Sequence, residues 1–166
     1  MSHAYDYPRM GTTVDAVVFY IPRITLLTGC RINPEEISVL LITRKNSPYK
    51  HHQCLPGGYV DMNEIFAQAA SRELEEETST LIRWNEFELV GVYDSIGRDP
   101  RERTISVAYY TITTELLKLE AKDDAEDAMW LSVEVALGAN LGFDHSKILR
   151  EAYDKLCDNL NTQNSG

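Results

Sequence analysis

The chain predicts a mixed α/β domain. Strand-length runs of β-branched and aromatic residues are interleaved with two amphipathic helical stretches, and no repeat or low-complexity linker divides them. A length of 166 residues suits one domain with a proper core and is short for two. Hydrophobic residues make up 43% and charged residues 25%, which places the chain among ordinary soluble globular proteins. The expected organisation is an N-terminal segment over 1–12, a folded domain over 13–158, and a flexible polar tail over 159–166.

Val14 to Ile21 is a β-branched and aromatic run that reads as a buried strand. Pro22 and Arg23 interrupt it, and Ile24 to Thr28 reads as a short extension. Cys30 to Glu36, with Asn33-Pro34, is a turn. Ile37 to Thr43 is a second strand, and Arg44 to Gln53, polar and carrying Pro48, is a loop. Cys54 to Val60 is a tight strand-turn segment, where Gly57 and Gly58 permit backbone geometry closed to other residues. Asn63 is the expected cap of a helix beginning near Glu64 and running to Thr78, rich in Ala, Glu, Gln and Leu. Strands follow at Phe87–Asp94 and Thr104–Thr113, joined by the polar loop Ser95 to Arg103, and a final strand at Ala128–Val133. Ser146 to Leu160 is an amphipathic helix, with Ile148, Leu149, Ala152, Tyr153, Leu156 and Leu160 at helical spacing.

The net charge of −10, from 26 acidic and 16 basic side chains, argues against broad binding to nucleic acid or to an anionic membrane. It leaves room for a phosphate ligand, because a metal ion and a few arginines reverse the local field. Cys30, Cys54 and Cys157 are far apart and odd in number, which argues against a disulfide framework or zinc site and fits a reducing cytoplasm. No apolar run reaches transmembrane length, and the N-terminus lacks the features of a signal peptide.

Within this frame Glu73, Glu76 and Glu77 stand at i, i+3 and i+4, on one helix face. Carboxylates gathered there repel unless a cation sits among them, and a hard divalent ion such as Mg²⁺ prefers oxygen ligands and bridges to substrate phosphates. The alternative is a solvated acidic face, the usual meaning of a charge run. Glu64 opens the same helix, where an acid near the N-terminus is favourable in any case. Arg72 is placed to orient Glu73 by charge-assisted hydrogen bonds.

The spacing Gly58, five residues, Glu64, seven residues, then Arg72-Glu-Leu-Glu-Glu-Glu77 resembles the Nudix box. The box closes with x-Gly-hydrophobic, whereas this chain has Thr78-Ser79-Thr80, so that Ser79 stands where a left-handed C-cap glycine is usual. The resemblance implies an α/β/α sandwich around a mixed β-sheet, a Mg²⁺ cofactor (Mn²⁺ as substitute), and metal ligands Glu73, Glu76, Glu77 and Glu64 with the Gly57 carbonyl. Glu76, Glu77 and Arg72 then belong to the catalytic set.

Gly97-Arg-Asp-Pro-Arg-Glu-Arg-Thr-Ile-Ser-Val-Ala-Tyr-Tyr110 places three arginines at a strand entrance. Arginine forks suit phosphate oxygens, although a solvent-exposed loop explains them too. This segment, together with Phe143-Asp-His-Ser-Lys-Ile-Leu149, resembles the Nudix branch that handles ADP-ribose and related nicotinamide metabolites. The implied partner is a small nucleoside diphosphate substrate, bound by Arg44, Tyr59, Arg98, Arg101 and Arg103. That branch also holds transcriptional regulators, which carry a winged-helix domain after the Nudix domain. The chain ends too soon for one, which favours the enzyme and the expectation of no nucleic-acid partner. Asp127 stands where relatives often show a glutamate before Ala-x-Trp, and is the candidate for activating water, with a solvated loop as the alternative. Family members are often homodimers, and the apolar N-terminal strand is a candidate to pair across such an interface. A non-catalytic ligand sensor and a hydrolase of nucleoside triphosphates remain the competing functions.

Overall fold

Strand β1 (Gly11–Tyr20) is the axis of the sheet. The computed structural model describes residues 6–23 and 33–163, so the expected extension at Ile24–Thr28 and the first residues of the turn from Cys30 lie outside the described residues. β2 (Ser38–Arg44), β3 (Gln53–Cys54) and β4 (Gly57–Tyr59) follow, then helix α1 (Phe66–Thr78) and a 3₁₀ turn at Trp84–Glu86. β5 (Glu88–Tyr93), β6 (Thr104–Thr113), β7 (Ala125–Ser132), the short helix α2 (Val133–Gly138) and α3 (His145–Gln163) complete the order. The sheet has seven strands. Its main path is β3-β2-β1-β6-β5, with β4 on β1 and β7 on β2. β1 and β6 run parallel along their whole length, from Gly11 opposite Thr104 to Tyr20 opposite Thr113, while the other pairings are antiparallel.

The period-two alternation of the strands builds two cores. Val17 and Phe19 of β1, with Val39 and Leu41 of β2, face Ile148, Leu149, Ala152 and Leu156 of α3. Val14, Ala16 and Val18, with Leu40 and Ile42, face Ala69, Ala70 and Leu74 of α1. Both faces of the central strands are therefore buried, which explains why they read as unbroken apolar runs. Each fully buried Leu, Ile or Phe side chain contributes about 1.5–3 kcal/mol. The result is the expected α/β/α sandwich around a mixed sheet.

Several boundaries differ from expectation for identifiable reasons. α1 begins at Phe66 with Ile65 as its N-cap, so Asn63 is not the cap. Gln68 Oε1 accepts the Ile65 N–H at 3.0 Å, and Glu64 Oε1 accepts the Asp61 N–H at 2.8 Å; Glu64 lies before the helix. At the other end Ser79 adopts the left-handed conformation (φ 59°), its N–H donating to the Glu75 carbonyl at 2.9 Å and its hydroxyl to the Glu120 carbonyl at 3.2 Å. The hydroxyl contact holds serine in a conformation usually left to glycine. β7 starts at Ala125 rather than Ala128, because it pairs with the whole of β2 past a bulge at Thr43/Arg44. α2 follows directly, capped by the Ser132 hydroxyl, which accepts from the Val135 N–H. α3 continues to Gln163, and Asn159, expected in the tail, donates to Tyr110 Oη and Glu88. β1 is paired with β6 on one edge and with β2 and β4 on the other, so it is not available to pair across a dimer interface.

Candidate functional site

The two glycines of β4 set the geometry. Neither has a positive φ; what they provide is space. A Cβ on Gly57 would lie 2.1 Å from the Val14 carbonyl oxygen, and one on Gly58 would lie 2.5–2.6 Å from the carboxylate of Glu73. Helix α1 is thereby allowed to press its acidic face onto the β4 backbone. Glu77 Oε2 accepts the Gly57 N–H at 3.0 Å, and the Glu77 side chain is buried. Burial, with Glu73 and Asp124 repelling from nearby, pushes the Glu77 carboxyl up to about 8 against the pull of the Gly57 N–H. Glu73 is raised as well, again chiefly by burial.

Arg72 is the cation of this cluster. Its guanidinium donates to both oxygens of Glu64 (3.0 and 2.6 Å), to Glu73 (2.8 Å), to Glu76 (3.2 Å) and to the Tyr59 carbonyl (2.9 Å). The hydrogen bonds from Arg72 hold Glu64 below the usual carboxylate range. As placed, no three acidic, histidine or cysteine side chains among the described residues form a ready metal cluster. The donor set nonetheless fits a hard divalent cation. Glu73 and Glu77 bring shielded carboxyl oxygens together at the glycine pair, both with raised proton affinity that a cation would offset, and Glu76 lies on the same helix face.

Beside the glycine pair opens a cleft bounded by β1, β2, the 95–103 loop and the start of α3. Gly57, Arg44, Arg98 and Arg101 line it. Arg44, at the end of β2, donates from Nε to the Pro48 carbonyl at 2.8 Å and lies over the Phe143 ring at 5.1 Å. Arg101 forks onto Asp99 (3.0 and 2.7 Å) and sits 5.9 Å from the same ring. Arg98 is different in kind. Its side chain is only 4% exposed, forks onto Asp144 at 2.9 and 2.6 Å, and lies 3.6 Å from Asp15. It forms the floor of the cleft.

Tyr59, Arg103 and Asp127 are not among the residues lining the cleft. The Tyr59 hydroxyl is bonded to Glu102. Arg103 donates to the Asp94 carbonyl at 2.5 Å and ties down its own loop. Asp127 is exposed on β7, opposite Thr43, where Oδ1 accepts the Ala128 N–H at 2.9 Å.

Sequence reasoning gave no role to Asp15 and little weight to His145. Asp15 is buried in the middle of β1 and accepts from Ser106 Oγ at 2.5 Å and from His145 Nε2 at 3.1 Å. Burial pushes its carboxyl up, but His145, Ser106 and Arg98 outweigh this and hold it below the usual range. The Leu55 N–H donates to His145 Nδ1 at 3.0 Å, so that nitrogen is bare and the ring donates through Nε2. Asp15 draws a second proton toward the ring, and the Leu55 N–H opposes it. One signal pointed here: a lone Asp inside an apolar strand must find buried partners. His51, given little weight, lies on the surface, paired with Glu126 at 2.7 Å.

The profile of the NUDIX domain matches residues 26–152. Over 113 residues the chain is 38% identical to the ADP-ribose pyrophosphatase of Methanocaldococcus jannaschii, covering 68% of this chain and 64% of that protein. Over 153 residues it is 30% identical to the ADPR-responsive transcriptional repressor NtrR of Acinetobacter baylyi, covering 91% of this chain and 56% of the repressor. The chain thus spans less than two thirds of the length of either curated relative. Among solved structures, the NUDIX domain of Shewanella oneidensis NrtR, in a cocrystal with ADP-ribose, superposes with a TM-score of 0.76 at 25% identity, over 92% of this chain and 94% of that one.

Proposed function

The chain belongs to the NUDIX domain family, and on that premise we propose that it hydrolyses the diphosphate bond of ADP-ribose or a similar nucleoside diphosphate derivative. The observation that carries this reading is the meeting of Glu73 and Glu77 with Gly57–Gly58 at the edge of a cleft whose other wall holds Arg44 and Arg101. Anionic oxygens for a cation stand beside cations for phosphate.

Mg²⁺, or Mn²⁺ in its place, would neutralise the diphosphate and lower the pKa of an attacking water. Glu73, Glu76 and Glu77 would hold it, with the Gly57 carbonyl, and Glu64 is assigned a secondary role. Arg72 keeps the acidic side chains in place. Arg44 and Arg101 bind the diphosphate, in the ground state and the transition state alike. Arg98 supports the loop that carries Arg101. Asp127, exposed and outside the cleft, is a weak choice for activating water. The relatives that work on or respond to ADP-ribose support the substrate class. A homodimer and a reducing, cytoplasmic location are parts of the same proposal. Light scattering tests the first. For the second, Cys54 and Cys157 are free thiols, and no helix among the described residues is long and apolar enough to cross a membrane.

The test is turnover with Mg²⁺ over a panel of nucleoside diphosphate derivatives and triphosphates, read by product chromatography. AMP and ribose 5-phosphate from ADP-ribose are expected; turnover of triphosphates alone would overturn the substrate class. Likeness to a repressor over 91% of the chain favours one second reading, a domain that binds ADP-ribose without cleaving it. Tight calorimetric binding with no product would select it.

A further inference from the structure

Phe143 is the aromatic centre of the cleft. Its backbone lies in the left-handed region (φ 53°), which a bulky aromatic residue rarely adopts and glycine adopts freely. The backbone is pinned there: the Gly142 N–H donates to the Gln53 carbonyl at 2.9 Å, and a Cβ on Gly142 would meet Cys54 Sγ at 2.5 Å. An aromatic ring has thus been placed at a position whose dihedrals favour glycine, and such placements concentrate at functional sites.

The ring joins the two arginines that line the cleft from different elements. Arg44 reaches it from β2 at 5.1 Å and Arg101 from the 95–103 loop at 5.9 Å. Two guanidiniums brought together repel, and the negative face of a shared ring offsets that repulsion. Arg44 is anchored to Pro48 through Nε, and Arg101 to Asp99 through Nε and Nη2. Among the described residues these bonds leave Nη1 and Nη2 of Arg44, and Nη1 of Arg101, for a ligand. The ring itself is already packed against Tyr49 at 4.6 Å and His145 at 5.3 Å, so it offers poor space for a stacked base.

We propose that Phe143 is a positioning residue that sets Arg44 and Arg101 as a two-armed clamp for the diphosphate of the ligand. This rests on the nucleoside diphosphate reading given above. The ring acts through the arginines and touches no reacting atom.

The test compares Phe143→Leu, Phe143→Gly and Phe143→Tyr in the full chain. The glycine variant suits the left-handed backbone, and the leucine variant keeps apolar volume without the π face. The readouts are KM and kcat for ADP-ribose with Mg²⁺, the dissociation constant for ADP-ribose by calorimetry in chelator, and circular dichroism with a thermal melt. Leu and Gly should each raise KM and the dissociation constant about tenfold or more, with kcat lowered by no more than about threefold, and Tyr should restore both. A merely structural role would lower the melting temperature and leave KM in place. A folded leucine variant with wild-type KM and dissociation constant would overturn the clamp. If the wild-type protein neither binds nor cleaves any nucleoside diphosphate derivative, the functional reading fails first and takes the clamp with it, before any variant is compared.

Discussion

Two buried carboxylates flank Gly57 of β4, and the protein treats them in opposite ways. Asp15 receives a hydroxyl from Ser106, an N–H from His145 and the nearby charge of Arg98, which hold it ionised despite complete burial. Glu77 receives a single backbone N–H from Gly57 and faces two other carboxylates, so its proton affinity climbs. Burial alone does not separate them. The difference lies in how much positive potential the fold itself supplies. Asp15 is completed by its own protein and serves the scaffold. Glu77 is left anionic only at a cost, which a cation brought by the ligand complex would remove. That contrast marks Glu77 for chemistry and Asp15 for support.

The largest expected effect breaks the Glu77 side. Glu77→Gln keeps the Gly57 N–H bond and removes the charge, so kcat for ADP-ribose should fall about 10³-fold, a size typical of losing a main electrostatic group, while circular dichroism stays unchanged. Wild-type turnover in that variant would remove Glu77 from the catalytic set. Asp15→Ala should do the reverse and cost stability first. Removing one partner of a buried ionic group costs about 3–5 kcal/mol, visible as a lower urea midpoint. An unshifted midpoint would mean that Arg98, His145 and Ser106 repair the gap among themselves.

A pH scan sharpens the same comparison. For Glu77 the folded carboxyl lies at about 8 against an ordinary 4.5, so the folded state holds the proton more tightly between those values. Its contribution favours folding at low pH and is lost as pH rises from 4.5 through about 8. Asp15 is depressed below 3.8, so its contribution is present above that pH and fades in acid. In chelator, the stability difference between wild type and Glu77→Gln should therefore slope across neutral pH. The difference for Asp15→Asn should change in the acid range. Added Mg²⁺ should flatten the first slope and leave the second alone. Parallel curves for the two variants would erase the distinction.

Much of the scaffold could be read from residue patterns. The strand Thr104–Thr113 has the bounds expected, because a β-branched run sits between polar punctuation on both sides. The sandwich was implied by the resemblance to the Nudix box, and the strands buried on both faces accord with a helix layer on each side. What escaped was short or distant. β3 and β4 have two and three residues, too few to show a period, and were legible only as one strand-turn segment over Cys54 to Val60. α2 is six residues long and announced only by Ser132. In the site, the acidic face of α1 was legible because its members are one turn apart. The arginine loop was not, because Arg98 takes its partner from Asp144, 46 positions away. Three side chains of one type in six residues carry no mark of which will be consumed by the fold.

The smallest expected effect separates those arginines. Arg101 lines the cleft next to Phe143 and keeps a nitrogen for a ligand, whereas Arg103 donates to the carbonyls of Asp94, Ser95 and Thr104. Arg101→Ala should raise KM for ADP-ribose about tenfold, the loss of one phosphate contact, with little change in kcat. Arg103→Ala should leave KM within about twofold and lower the melting temperature by a few degrees, since about 1 kcal/mol of loop hydrogen bonding goes. The two substitutions remove the same charge from the same loop, so bulk electrostatics predicts equal effects. Equal rises in KM would show that the loop works through its summed charge rather than through one arm of a clamp.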